Sequence, residues 1–406
     1  MKKILLALFA LIALVSLSFT FAACDGCGCK PTEEIVIDES DDVKEIIDEN
    51  GNETYKKLTF KLKKDGSGYA VLNAGEFDGE DLVIPDEYEG KPVSLISPSA
   101  FMNNTKIKSV VIGKNVDYIS MYAFHNCANL SRVVLPESLT KIYEYAFYGT
   151  AIEELSIGKN LSEIGEEAFC NCTKLKNIKV DKDNEHFTSV SGDLYSKDGS
   201  EFLQYAYGKN LTSFTFSDTV TSLGISAFKK SSIESVVLSA NLTTIGESAF
   251  EQCKNLKNIV IKEGVKTIDE YAFADCCSLG DIKFPSTLEI IGDSAFFNCT
   301  ALQSIVFPAA LKKIDDNAFD SCENLSSVKF NDALTYIGDW AFEDCFALLE
   351  IHIPEGVNSI GEEAFGYYYV EEDEWCSLLD GVVIYGATGS EAEEYANDND
   401  IPFVAE

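Results

Sequence analysis

One dipeptide, Ala-Phe, returns along this 406-residue chain with its second member at Phe101, Phe124, Phe147, Phe169, Phe228, Phe250, Phe273, Phe296, Phe319, Phe342 and Phe365. Most steps are 23 residues, two are 22 and one is 59. The text between the pairs repeats as well. Leu302-Gln303-Ser304-Ile305-Val306-Phe307-Pro308 leads to Leu311, Ile314, Ala318-Phe319, Cys322 and the next Leu325. Self-similarity at a fixed period of this size marks a solenoid. Such a core grows by stacking coils, so chain length sets no count of domains.

Each repeat carries a strand signature, L-x-x-I-x-I, as in Leu130/Val133/Leu135, Leu175/Ile178/Val180, Leu256/Ile259/Ile261 and Leu325/Val328/Phe330. Residues two apart share a strand face. Ile259 and Ile261 are therefore expected to point inward, Asn258 and Val260 outward. Pro136, Pro285, Pro308 and Pro354 follow strands, where proline can end a ladder. An I-G-x-x-A-F element comes next, as at Ile245-Gly246, Ile291-Gly292, Ile337-Gly338 and Ile360-Gly361. The small Ala and large Phe are expected to fill the opposite wall, one Phe over the next.

The N-terminus reads as an address. Lys2-Lys3 precede an uncharged apolar run from Ile4 to Phe21, then Ala22-Ala23 and Cys24. This predicts a signal peptide over 1–23. Phe21-Ala22-Ala23-Cys24 resembles the lipobox of bacterial lipoproteins, with Phe21 where those proteins usually carry Leu. The resemblance implies lipidation of Cys24; plain secretory cleavage is the second reading. Cys27 and Cys29 follow without a second Cys or His group at zinc spacing, so a disulfide or a free thiol is expected there. Residues 24–54 are acidic and poor in aromatics, the composition of a disordered tether.

Residues 55–95 read as an N-terminal cap and degenerate first repeat. Leu58–Leu62 and Tyr69–Leu72 flank Asp65-Gly66-Ser67-Gly68 as a hairpin, and Leu82-Val83-Ile84-Pro85 is a first strand. Repeats fill 96–377. The 59-residue step holds a hairpin insertion, 181–210, either a binding protrusion or edge decoration. Residues 378–406 form a C-terminal cap, with a capping box at Ser390 and Glu393 opening a short helix and a final strand near Ile401–Val404.

The wording L-x-x-I-x-I-P…I-G-x-x-A-F-x-x-C resembles the BspA-type leucine-rich repeats of bacterial surface proteins over roughly residues 80 to 390. That resemblance implies a right-handed solenoid with little helix and a parallel β-sheet on the concave side. It also implies a surface-exposed adhesion or binding role.

Net charge narrows the partners. With 67 acidic against 32 basic residues, the charge is −35. Nucleic acid calls for basic patches, and anionic lipid repels such a chain. The membrane is expected to be reached only through the lipid anchor. Seven cysteines sit three residues after the repeat Phe (Cys127, Cys172, Cys253, Cys276, Cys299, Cys322 and Cys345), and Asn104, Thr150, Ser231 and Tyr368 take that place elsewhere. A buried thiol ladder is expected. Cys170, Cys277 and Cys376 lie off the column and are the candidates for bridging. The three histidines fall in no nucleophile or metal spacing, and no Gly-x-Ser-x-Gly elbow or phosphate loop appears. No enzyme, cofactor or metal is expected.

What remains is surface. Outward strand positions form two columns, and the candidate face comprises Arg132, Val134, Lys179, Val237, Val260, Lys283, Val306, Lys329 and His352. A candidate binding loop gathers Tyr367, Tyr368, Tyr369 and Trp375. The expected partner is a protein or glycan outside the cell. The alternative is a structural envelope spacer or self-assembling surface component.

Overall fold

The computed structural model describes residues 57–370 and 375–406. The signal, Cys24 and the tether lie outside them. The N-terminal hairpin forms as expected: Thr59–Leu62 pairs antiparallel with Tyr69–Asn73, Leu62 opposite Tyr69. Asp81–Val83 pairs with Ser109–Val111, so the degenerate repeat is the first coil of the stack.

Each coil contributes to two parallel ladders. The first uses the expected strand. Ser109–Val111 sits in register with Arg132–Val134, and Ser235–Val237 lies between Ser213–Thr215 and Asn258–Val260. Within Asn258–Val260 the central Ile259 is buried and both neighbours are exposed, which confirms the alternation. At Asp281–Lys283 the ladder is interrupted; Ile282 stays buried, yet these residues form no strand. The second ladder comes from the I-G element. Thr244–Ile245, Thr267–Ile268, Ile290–Ile291, Lys313–Ile314 and Tyr336–Ile337 pair side by side. Gly165 belongs here because a Cβ would lie 2.5 Å from the Glu144 amide nitrogen, so neighbouring backbones leave no room.

The Ala-Phe wall holds a third ladder that periodicity did not reveal. Two left-handed residues flank each Phe, such as Tyr271 (φ 52°) and Asp275 (φ 58°) around Phe273. That conformation costs a non-glycine residue roughly 1–2 kcal/mol. It is offset because it aims three amides at the next coil: Tyr271 N–H donates to Asp293 O (3.0 Å), Phe273 to Ala295 O (2.8 Å) and Asp275 to Phe297 O (2.8 Å). Asn at several of these positions, including Asn103, Asn126 and Asn298, tolerates the left-handed region best among L-residues.

The phenylalanines stack along the axis, with centroids 5.2 Å apart for Phe273–Phe296 and 5.1 Å for Phe296–Phe319. Burying each ring contributes roughly 2–3 kcal/mol, and the ring–ring contact about 1 kcal/mol more. The cysteine column packs beside them. Each Sγ donates to the carbonyl of the repeat Phe one coil earlier, from Cys127 to Phe101 O (3.0 Å) through Cys345 to Phe319 O (3.3 Å). Thr150 and Ser231 stand in the column and touch Cys172 and Cys253 through their hydroxyls. The buried thiol ladder is thus present. The bridging expectation for Cys170, Cys277 and Cys376 fails: all ten described cysteines are free. Cys170 meets Tyr207 Oη, Cys277 lies near Asn298 O, and Cys376 donates to Glu343.

The insertion is neither protrusion nor decoration. Phe187–Val190, Asp193–Ser196 and Glu201–Gln204 form an antiparallel sheet, and Glu201–Gln204 also pairs in parallel with Ser222–Leu223. The third strand thereby enters the second ladder. Tyr205 takes the place of a repeat Phe, 23 residues before Phe228, with its amide bonded to Ala227 O and its ring 4.7 Å from Phe228. The 59-residue step is one long coil of 36 residues followed by one ordinary step. The core divides at this point into a block from Leu58 to Leu194 and another from Phe202 to Ile401.

At the far end the helix Glu391–Asp398 covers the last coil. The expected capping box is not made. Ser390 Oγ donates to Ala387 O, and Glu393 accepts from the Gly389 amide. The useful contact is Tyr395, whose hydroxyl accepts from Phe365 N–H (3.0 Å) and donates to Phe365 O (3.2 Å), closing the Ala-Phe ladder. The final strand is Phe403–Ala405, one residue beyond its expected end, against Val383–Gly386.

Candidate binding surface

The outward positions of the first ladder line up as the register demands. Val111 stands opposite Val134, Val237 opposite Val260, and Val306 opposite Lys329. Val134, Val260 and Val306 are exposed, Val306 at 65%. Arg132, Lys179, Lys283, Lys329 and His352 are exposed too, and Val237 is half-buried. Lys179 is held by Glu154 across the ladder at 2.7 Å. His352 stacks on Tyr385 (4.4 Å) with Nδ1 3.1 Å from Glu406, so it belongs to the C-terminal cap. Lys283 lies on the stretch without strand pairing, where its column position is set by Ile282 alone.

Lysine–carboxylate pairs cross from one coil to the next, among them Lys108–Glu80, Lys176–Glu153, Lys257–Glu234 and Lys312–Glu289. Apart from the half-buried Glu289 these side chains are exposed, and exposed pairs contribute little to stability. They do consume cations: among the described residues most surface carboxylates have no ion-pair partner.

The tyrosine loop is a hairpin, Tyr367–Val370 against Trp375–Leu378. Its members diverge. Tyr367 Oη donates to Asn399, tying the hairpin to the cap helix. Tyr368 meets Phe346 at 5.9 Å, and Tyr369 is 50% exposed. Trp375 pairs through its backbone with Val370. Only part of this loop therefore faces solvent as an aromatic surface.

A larger aromatic group escaped the sequence reading. Tyr122 and Tyr145 stack at 5.0 Å, His125 stacks on Tyr148 at 4.9 Å, and Lys230 lies 5.2 Å over the Tyr148 ring. The signal was available: Tyr122 and Tyr145 hold the same place before Ala-Phe, His125 and Tyr148 the same place after it. His125 Nδ1 is buried without a hydrogen-bond partner, and burial lowers its pKa.

The seam between the two blocks concentrates charge. Lys229 bridges Glu167 (2.8 Å) and Glu251 (2.9 Å), all little exposed, and Ser226 Oγ also donates to Glu167. Burial works against the Lys229 charge, but the two carboxylates outweigh it and raise its pKa. Asp193 and Lys209 form a second such pair within the insertion. Beside them, burial raises the Glu166 carboxyl, and Glu247, Glu144 and Glu167 add to that.

No helix among the described residues is long and apolar enough to cross a membrane. The sequence matches the BspA type leucine rich repeat region in six copies, over residues 94–197, 202–309 and 266–375. A comparison with curated proteins finds no significant match. Among solved structures, a leucine-rich repeat protein from Eubacterium ventriosum is similar at TM-score 0.63 and 20% identity, covering 77% of this chain and 93% of its own. The pneumococcal vaccine antigen PcpA is similar at TM-score 0.51 and 20% identity, covering 89% and 98%. A leucine rich cell surface protein from Faecalibacterium prausnitzii aligns at TM-score 0.47 and 22% identity, over 71% and 95%. The Eubacterium ventriosum protein and PcpA agree on the fold, and the repeat match spans most of the chain: this protein belongs to the BspA-type leucine-rich repeat family.

Proposed function

We propose that this chain is a non-enzymatic surface lipoprotein, anchored through Cys24, whose outward strand columns bind a protein or glycan outside the cell. The observation that carries the reading is the row of exposed valines on one ladder, Val134, Val260 and Val306, where solvent exposure of an apolar side chain brings the isolated protein no gain. Lys329 and Arg132 punctuate the row and supply polar contacts. Solenoids commonly present extended ladders of this kind to partners.

The test is a binding array of extracellular-matrix proteins, glycans and the producer's own envelope fractions at physiological salt. Saturable binding to one class, lost in a Val260→Glu/Val306→Glu double variant, is the expected result. Silence across the array with a monomer in solution overturns it. A second reading, a spacer, is supported by the lack of Trp on these columns, by their single Arg and by Tyr385 standing only at the capped end beside His352, since binding hot spots favour those residues. Concentration-dependent self-association in sedimentation would support its self-assembling form. Replacing Cys24 by Ser should abolish labelling with a radioactive fatty acid; continued labelling removes the anchor from the proposal.

A further inference from the structure

The two ladders end differently at the N-terminal side of the stack. The second is carried on by the cap: Lys91–Ile96 pairs with Tyr69–Asn73, and that strand pairs with Thr59–Leu62. The first stops at Asp81–Val83, which pairs with Ser109–Val111 on one side and, among the described residues, with nothing on the other. Spacing identifies what is missing. In ordinary coils the first-ladder strand begins nine residues before its second-ladder counterpart, as Ser109 before Tyr118, Arg132 before Lys141 and Asn258 before Thr267. Nine residues before Tyr69 stands Phe60, but Thr59–Leu62 folds back antiparallel onto Tyr69–Asn73. Among the described residues the coil of Tyr69 therefore has a second-ladder strand and no first-ladder strand.

The chain carries a stretch worded for that place. Glu33-Glu34-Ile35-Val36-Ile37-Asp38-Glu39 repeats Glu80-Asp81-Leu82-Val83-Ile84-Pro85-Asp86-Glu87 once Pro85 is skipped, with Glu34 for Asp81 and Ile35 for Leu82 as the two changes. Parallel pairing in register sets Ile35 beside Leu82, Val36 beside Val83 and Ile37 beside Ile84. Leu82 and Ile84 are buried, and Val83 between them is half-buried. The period of two then sends Ile35 and Ile37 toward the core side and leaves Val36 outward. Reach is ample: twenty residues separate Ile37 from Lys57, the first described residue, and an extended chain of that length covers about 66 Å.

An open edge offers a row of backbone donors and acceptors to any extended segment, and main-chain pairing supplies the affinity of strand addition. We propose that residues 34–37 dock in cis on the open edge of Asp81–Val83 as the missing first-ladder strand. The acidic stretch then divides into a short lead from Cys24 and a return loop to the cap. Under the anchor reading proposed above, ten residues separate Cys24 from Glu34, so docking holds the first coil within about 35 Å of the membrane. That consequence rests on the anchor; the strand itself does not, and it is independent of what the valine row binds.

The test is hydrogen exchange of the full chain, read by mass spectrometry. Physiological salt is used because Glu34 beside Asp81 is a repulsion that salt screens. Amides of residues 34–37 should exchange at least about tenfold slower than those of residues 40–50. Ile35→Thr/Ile37→Thr should remove that protection and speed exchange in Asp81–Val83, whereas Val36→Thr, on the outward face, should leave both unchanged. Circular dichroism of every variant should match the parent, since the substitutions lie outside the described coils. Fast exchange of residues 34–37 in the parent, or an equal response to Val36→Thr, overturns the proposal. So does protection of Asp81–Val83 that grows with protein concentration, which would give the edge to a second copy, whose own first ladder ends at Phe403–Ala405.

Discussion

Consider the ordinary coil around Phe273 beside the long coil that runs from Phe169 to Tyr205. In the first, every structural contact has a copy above and below. Phe273 stacks on Phe250 and Phe296, and Cys276 donates to Phe250 O just as Cys299 donates to Phe273 O. In the second, the contacts occur once. Asp193–Lys209 and Glu167–Lys229–Glu251 have no counterpart among the other described coils. Repetition spreads stability over nearest-neighbour interfaces. The seam instead depends on single buried ion pairs, which are costly to break and weak as net stabilisers.

That contrast predicts an order of effects. Lys229→Ala strands two little-exposed carboxylates and should cost about 3–5 kcal/mol. Urea unfolding followed by circular dichroism should then separate the two blocks into distinct transitions; a loss below about 1 kcal/mol would remove the seam's special status. Phe273→Ala empties a ring-sized space between two rings and should cost about 3–4 kcal/mol, with Phe273→Leu recovering most of it. If the same change costs little, stacking does not govern the regular coils.

Asp320 sharpens the comparison through pH. Burial, then Glu343 and Asp344, push its pKa up to about 7 from 3.8. Between those values the folded state holds a proton that the unfolded state has lost. This group's contribution therefore declines as pH rises from 4 to 7 and is flat above. Asp320→Asn should stabilise the protein at pH 8 by roughly 2–4 kcal/mol and leave it nearly unchanged at pH 4, as read by thermal melts at both values. Tyr395→Phe leaves the Phe365 amide without an acceptor at the end of the ladder and should cost about 1–3 kcal/mol, seen as faster amide exchange in the last coil. Smallest is Cys276→Ala, about 1 kcal/mol, since its thiol bond is one of seven alike. In native protein the column thiols should resist alkylation, burial having pushed Cys127 and Cys253 up to about 12, while half-buried Cys277 reacts.

Much of the outward surface was legible from the strand signature, because a period of two assigns faces without reference to neighbours. Val134, Val260 and Val306 fall where that rule puts them. His352 did not remain a free column member, since a chain segment 54 residues later brings Glu406 against it. The tyrosine loop divided for the same reason, with Asn399 claiming Tyr367. The off-column cysteines looked like bridging candidates because sequence lists thiols but not their distances.

The sequence alone determined the stack: a 23-residue period, one inward Ile column, one Phe column and one thiol column, each following from the need of identical coils to bury identical residues. It also determined the acidic balance. Tertiary structure decided what happens where the repetition lapses. Phe202 and Tyr205 fill core places usually held by Ile and Phe, in a coil 13 residues longer than its neighbours, and no local pattern marks them as equivalent. Only the packing of the next coil does, through the Tyr205 amide on Ala227 and the Phe228 ring between its neighbours. The Glu167–Lys229–Glu251 bridge at the seam has the same origin, because whether an acid in an acidic chain meets a lysine depends on which coils the fold brings together.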